Sequence, residues 1–349
     1  MKTKAAILVE QNKPLVIDDI EMPALGAGQV RVNILTSGIC GSQIGEIEGR
    51  KGKDPFLPHL LGHEACGIVE EIGAGVTHVK PSDKVVLHWR PGNGLEAETP
   101  SYRWGNRTVN AGRVTTFQDA AIVSENRLTK ISLEEEPATA MLYGCCIPSG
   151  FGVLFNDAKL QKGESVIILG TGGMGLSEII AARLAAAAMI IAVDIHEHKL
   201  VLAAKLGATH TIHSKRTDVR EAVRHWLGDR GVDVVIENTG VRSLIEMAYD
   251  LAAAKGRTIL VGVPKTGEKA SFDTLPLHFG KILIGSHGGG AQPAEDIPRY
   301  LRMQHGGLFD PAPIISHSYP LERINEAIES LRSGQAVRCA ITMKAGKDA

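Results

Sequence analysis

The chain has 349 residues, long enough for two domains that each bury a sizeable core. Its 38 basic and 39 acidic residues are interspersed and leave a formal charge of −1, which excludes an electrostatic case for nucleic acid or a membrane surface as partner. No run of 18 apolar residues suggests a membrane span, and Met1-Lys2-Thr3-Lys4 reads as the lead-in to a strand, not as a signal peptide.

Residues 1–146 read as a β-leaning unit. Short β-rich runs fall at 5–9, 30–35, 66–72 and 84–88, separated by Gly and Pro turns. Five cysteines, an odd number in a chain that needs no staples, suit a reducing cytoplasm with thiols free to bind metal. Cys40 lies in Gly38-Ile-Cys-Gly-Ser42, His63 in Gly62-His-Glu64, and Cys145 in Gly144-Cys-Cys146. One thiolate, one imidazole and a second thiolate make a soft, three-ligand zinc set whose fourth position stays open to water or substrate. Each motif alone has a plainer reading, since buried free cysteines and His–Glu pairs are common. The three in this order, ahead of the segment that follows, point to metal.

From residue 151 to about 283 the pattern alternates between strands, at 165–169, 189–193, 233–237, 258–263 and 281–284, and helices. That alternation predicts a doubly wound parallel sheet. After the first strand come Gly170, Gly172 and Gly175 in the spacing G-x-G-x-x-G, then an alanine-rich helix, then a second strand ending on Asp194. The first glycine serves a tight turn, the second lets backbone approach a pyrophosphate, and the third lets helix and strand pack closely. The helix N-terminus offers its N–H groups to the phosphates. Asp194 can accept both hydroxyls of an adenosine ribose and would repel a 2′-phosphate, which favours NAD over NADP. His196, His198 and Lys199 follow closely, so a phosphate there is tolerable. The last sixty residues end in a helix at 321–332 and a strand at 337–343 that return to the first unit, which places the nucleotide domain between two pieces of the other.

GICGS at 38–42, GHE at 62–64, LYGCCIPSGFG at 142–152, GTGGMG at 170–175, LVGVP at 260–264 and SGQAVR at 333–338 together make the chain resemble the zinc-dependent medium-chain alcohol dehydrogenases over essentially its whole length. The resemblance implies an α/β protein. A GroES-like, β-rich catalytic domain would cover 1–146 with 286–349 returning to it, and a Rossmann domain, a doubly wound parallel sheet, would cover 147–285. Zinc and nicotinamide would meet in the cleft. Position by position, Cys40, His63 and Cys145 match the catalytic zinc ligands, and Glu64 matches the acid behind the metal that exchanges with water as a ligand. Ser42 matches the hydroxyl that takes the alcohol's proton. Ser149 matches a hydroxyl residue packed on the nicotinamide, and Arg338 an arginine reaching the pyrophosphate. Gly170, Gly172, Gly173, Met174 and Gly175 of the glycine loop, Asp194, Lys199, and Val261 and Val263 of LVGVP complete the implied cofactor set. The implied chemistry is hydride transfer between an alcohol, or its aldehyde or ketone, and NAD.

Departures from the family pattern carry information. The acid that often follows the relay hydroxyl and braces the zinc histidine is here Gln43, whose amide oxygen can still accept that N–H but raises ligand basicity less. The position of a histidine at the end of the proton relay is Gly45. Cys146 stands where many relatives have glycine and reads as a small buried hydrophobe. Four cysteines that hold a structural zinc in many relatives are absent from 89–117, so a single zinc per chain is predicted. In that stretch Trp89 falls where the family places an aromatic wall of its substrate pocket. Arg90, Arg103, Arg107 and Arg113 read either as contacts to an anionic or polar substrate or as a solvated or subunit-facing loop. Competing readings are a polyol or amino-alcohol dehydrogenase of the same superfamily, a zinc-free quinone or enoyl reductase, and a non-catalytic NAD-binding protein. A homodimer or homotetramer in the cytoplasm is the expected setting.

Overall fold

In the computed structural model, which describes residues 1–344, the eleven-residue strand Gln29–Ile39 is the spine of the first of two units. Its sequence QVRVNILTSGI is buried on both faces, so three neighbours are needed to satisfy and cover it. Ala65–Ile72 and Ala120–Ser124 pair with it antiparallel toward its beginning and middle, and Cys339–Thr342 pairs with its end. The sheet continues outward through Lys84–Leu87 to Leu128–Lys130 on one side and His317–Pro320 on the other. Beside it, Lys2–Leu8, Val16–Glu21, Ser101–Trp104, Arg107–Asn110 and His59–Leu60 close into a small barrel. The main core joins residues such as Val32, Ile34, Leu87, Val123 and Ile341 with Ile324 and Ile328 of the helix Ile324–Arg332. This unit comprises Met1–Cys145 together with the chain from Gln292 on.

Two strands of the barrel answer what the 89–117 stretch does. Ser101–Trp104 and Arg107–Asn110 form a hairpin across the two-residue turn Gly105-Asn106, with Gly105 at φ 58°. Tyr102 is fully buried there, its hydroxyl accepting from the Ile122 amide at 2.9 Å. Weak alternation and many polar residues hide this hairpin from sequence reasoning, as they hide Val16–Glu21.

The second unit, Cys146–Ala291, is a six-stranded, wholly parallel sheet. In space the strands run His210–His213, Met189–Asp194, Ser165–Leu169, Val232–Glu237, Ala252–Leu260 and Ile282–Gly285. The order reverses beside Ser165–Leu169, and ligands of such sheets bind at that switch point, outside the carboxyl ends of the strands. The strand expected at 258–263 instead runs Ala252–Leu260: Ala252, without β-branching, pairs with Val232, the register then shifts across 253–256, and Arg257–Leu260 pair with Val234–Glu237. Val261 and Val263 therefore lie in the loop beyond it. The short strand His210–His213, polar at both ends, is legible only once its neighbour is in place. Among the described residues no single helix is long and apolar enough to cross a membrane.

Candidate metal centre and dinucleotide loop

Strand pairing assembles the metal centre within the first unit. Cys40 follows the end of Gln29–Ile39 and caps the helix Gly41–Ile47. Ser37 opposes Ala65, so His63 and Glu64, just before that strand, come alongside Cys40. Cys145 arrives from the turn Leu142–Gly144, and Gly144 lies so close that a Cβ there would strike Glu64 and the Leu87 carbonyl. Gly38 is held to glycine in the same way by Glu64 and Met141. The donor atoms of Cys40, His63 and Cys145 all lie within 4.8 Å of one another.

The residues fit a zinc ion. Nε2 of His63 is buried without a hydrogen-bond partner, as an imidazole awaiting a metal would be. The two sulfurs share a hydrogen bond. It holds Cys40 well below the ordinary thiol range and Cys145 well above it, so one thiolate is already favoured. Two thiolates and one neutral imidazole are a donor set zinc prefers, with one position left open.

Behind this set, Glu64 is fully buried and forms an ion pair with Arg338, whose side chain is only 4 % exposed. Burial pushes the Glu64 carboxyl up, against the downward pull of that guanidinium. Arg338, matched above to an arginine that reaches the pyrophosphate, thus sits in the first unit against the acid behind the metal site. Gln43 differs from expectation in its orientation. Its amide oxygen accepts from the Cys40 backbone N–H at 2.8 Å, so it is the amide nitrogen that faces Nδ1 of His63. Ser42 is exposed, two residues on from Cys40.

The arginines of 89–117 are engaged locally. Arg90 lies over the Trp89 ring at 5.5 Å, Arg107 over Trp104 at 5.7 Å, Arg103 meets Glu21 at 3.7 Å, and Arg113 meets Glu96 at 2.8 Å. These contacts support the reading of the four arginines as part of a solvated loop rather than as substrate contacts.

In the second unit, Gly170 takes φ 92°, which a side chain would strain, and turns the chain from Ser165–Leu169 into the helix Gly173–Leu184. A Cβ on Gly175 would land on the Gly170 carbonyl, so helix and turn touch through bare backbone. At Gly172, the helix cap, a Cβ would meet no atom within 4 Å, which leaves an open cradle before N–H groups that no capping side chain satisfies. Gly173 and Met174 are the first helical residues. Asp194 ends its strand with a carboxylate already in use: Oδ2 accepts from the Thr171 amide and hydroxyl, both at 2.9 Å, and Oδ1 from the amides of Ile195 and His196. Thr171, unmarked in the sequence reading, ties the glycine turn to the acid; the hydroxyl inside G-T-G was its only signal. Lys199 stands near Asp194, its ammonium lowered by burial. Ser149 is buried in the helix Cys146–Gly152, and Cys146 is buried with its sulfur 3.2 Å from the Gly173 carbonyl. Val261 donates its amide to the Glu237 carbonyl at 2.8 Å, and Val263 is exposed.

Known proteins share the domains that carry these residues. Residues 26–133 match the sequence model of the alcohol dehydrogenase GroES-like domain, and 173–304 that of the zinc-binding dehydrogenases. An alcohol dehydrogenase zinc-binding domain protein from Burkholderia ambifaria superposes with a TM-score of 0.91 at 29% identity, covering 99% of this chain and 100% of its own. Benzyl alcohol dehydrogenase from Acinetobacter calcoaceticus superposes at 0.88 with 28% identity and the same coverage. A putative zinc-binding dehydrogenase from Sinorhizobium meliloti 1021, bound to NADP, does so at 0.80 with 26% identity, covering 98% of this chain and 99% of its own. The chain therefore belongs to the zinc-binding, medium-chain alcohol dehydrogenase family, with a GroES-like domain and a Rossmann domain.

Proposed function

We propose that the protein is a zinc-dependent oxidoreductase that moves hydride between an alcohol, or its aldehyde or ketone, and NAD. The observation that carries this reading is the convergence of Cys40, His63 and Cys145 in a chain that also bears the glycine loop. Zinc held by these three would supply Lewis acidity to the substrate oxygen and lower its pKa. The chain's own residues do the rest. Ser42, two residues on from Cys40, takes the proton of the alcohol's hydroxyl group. Glu64 places a buried carboxyl, paired with Arg338, behind the ligand set, where it would be a further oxygen donor in reach of a bound zinc. The cradle at Gly172 and the helix N-terminus hold the pyrophosphate, with Gly170, Gly173, Met174 and Gly175 shaping the turn. Ser149, Val261, Val263 and Lys199 complete the cofactor set, and fixed orientation of the reactants supplies much of the rate gain.

NAD is favoured over NADP by the Asp194 carboxylate. Burial and the neighbouring Lys199 lower the pKa of His196 against the upward pull of Asp194, which weakens this imidazole as a counter-charge to the carboxylate. The reading of a single catalytic zinc per chain and no structural zinc is supported by the lack of cysteine in 89–117. The five free cysteines suit the cytoplasm. Self-association into a homodimer or homotetramer is supported by the outer strand Ile282–Gly285, whose Ile282 and Ile284 are exposed. The deciding experiment measures NAD reduction against chemically diverse alcohols, with zinc content determined on the same sample. About one zinc per chain with zinc-dependent turnover is expected. Equal turnover after complete zinc removal would reject the proposal.

A further inference from the structure

A cavity of about 530 Å³ opens within the first unit, in the size range of small-molecule sites. His63 and Gln43 form one wall, so the cavity begins at a candidate metal ligand. Phe56, Leu60, Leu61 and Val114 give it an apolar body. Its polar lining is one-sided in chemistry. Glu46, Asp54 and His59 bring their carboxylate oxygens and ring nitrogen within 4.8 Å of one another, and Glu46 and His59 face the cavity.

The charges in this cluster do not cancel. Nδ1 of His59 lies 2.9 Å from the Leu60 carbonyl and Nε2 lies 2.7 Å from Oδ2 of Asp54, so both ring nitrogens face oxygens of the protein. Asp54 meets that ring with one oxygen and accepts from the Phe56 amide at 2.8 Å with the other. Glu46 has no ion-pair partner among the described residues, and no Lys or Arg lines the cavity, so the acidic side chains here leave a net negative wall. Asn110 spends its amide nitrogen on the Phe56 carbonyl at 2.7 Å, which leaves its oxygen to offer. The wall thus presents two acceptors, the Glu46 carboxylate and the Asn110 amide oxygen, beside the Thr99 hydroxyl, which can accept or donate.

We infer that Glu46 is a specificity-determining residue that binds a hydrogen-bond-donating group, a protonated amine or a further hydroxyl, carried by the alcohol substrate away from its reacting carbon. This rests on the dehydrogenase reading above and names its substrate class. Anionic substrates are repelled by the same carboxylate, and plain alkanols leave it unpaired in a partly closed space. The selectivity of one charge-assisted hydrogen bond is about tenfold or more.

The test uses the zinc-loaded full chain with NAD and a matched four-carbon series: 1-butanol, 1,4-butanediol, 4-amino-1-butanol and 4-hydroxybutyrate. The diol, the amino alcohol or both should exceed 1-butanol in kcat/KM by about tenfold, with the hydroxy acid lowest, and their ratio separates amine from hydroxyl recognition. Glu46→Gln should abolish this ranking through KM, leaving kcat for 1-butanol within about twofold, while Glu46→Asp should keep it. Calorimetric titration of the same ligands into the zinc-loaded protein gives a readout that needs no turnover, and there too Glu46→Gln should remove the preference. A ranking or binding order that Glu46→Gln leaves unmoved overturns the inference. Absence of turnover with every alcohol strikes the dehydrogenase reading, and the titration then still decides for or against Glu46. A second zinc or magnesium ion per chain, bound by the wild type and lost in Glu46→Gln, overturns it by making the cluster a metal site.

Discussion

Gln43 illustrates how much a single amide settles at the metal centre. Its oxygen is claimed by the Cys40 backbone N–H, so its nitrogen faces the ring nitrogen of His63 that lies away from the ligand set. A metal on Nε2 leaves the ring proton on Nδ1, which then needs an acceptor. Gln43→Glu would provide one and is expected to tighten zinc about tenfold, read by competition with a chelator. Cys40→Ala or His63→Ala should abolish alcohol oxidation and zinc retention while NAD affinity changes less than about twofold, because the glycine loop lies in the other unit. Full turnover by zinc-free Cys40→Ala would refute the ligand assignment. A buried acid in the second unit offers a different test. Glu178 is fully buried, accepts from Asn238 at 2.6 Å, and burial raises its pKa from 4.5 to about 8. The folded state therefore holds a proton that the unfolded chain releases near pH 4.5, and the stability this contributes is lost as pH rises toward 8. Glu178→Gln should flatten that decline, by up to about 1.4 kcal/mol per pH unit, measured by denaturant titration between pH 5 and 8.5. An unchanged slope would show that Glu178 titrates normally.

Among the elements, the turn between Ser165–Leu169 and Gly173–Leu184 depends on a residue outside it. Asp194 holds the amide and hydroxyl of Thr171, so the second strand braces the loop that the first strand begins. Asp194→Ala should consequently do two things. It should weaken NAD by about tenfold and narrow the discrimination against NADP, since the repulsive charge is gone. It should also lower stability by about 1–2 kcal/mol, because the Thr171 groups lose a charged acceptor. Cofactor titrations and denaturant melts separate the two effects, and an unaltered NAD-to-NADP ratio would remove Asp194 from cofactor selection. The spacing G-x-G-x-x-G foretold the turn because backbone sterics act within six residues. The brace from Thr171 joins positions 23 apart in sequence and needed the folded sheet.

At the scale of the whole molecule, the six-stranded sheet ends in Ile282–Gly285 with no strand beyond it among the described residues. Phe279, Ile282 and Ile284 are exposed along this edge. Ile284→Lys should shift the protein to monomer in light scattering, since a charge on an open edge opposes strand pairing between copies. A wild-type protein already monomeric at micromolar concentration would dismiss self-association.

The sequence by itself determined what local physics controls. Period and propensity marked most strands of the parallel sheet, glycine spacing marked the nucleotide turn, and three short motifs named the candidate ligands Cys40, His63 and Cys145. Tertiary structure decided everything that depends on pairing between distant segments. The polar hairpin at 101–110, the strand at 210–213 and the early start of the strand at 252 owe their form to neighbours and not to their own residues. The same holds for Arg338 against Glu64 and for Glu46 beside Asp54 and His59. A side chain's charge is written in its codon, but whether that charge is cancelled depends on which residues the fold brings within hydrogen-bonding distance.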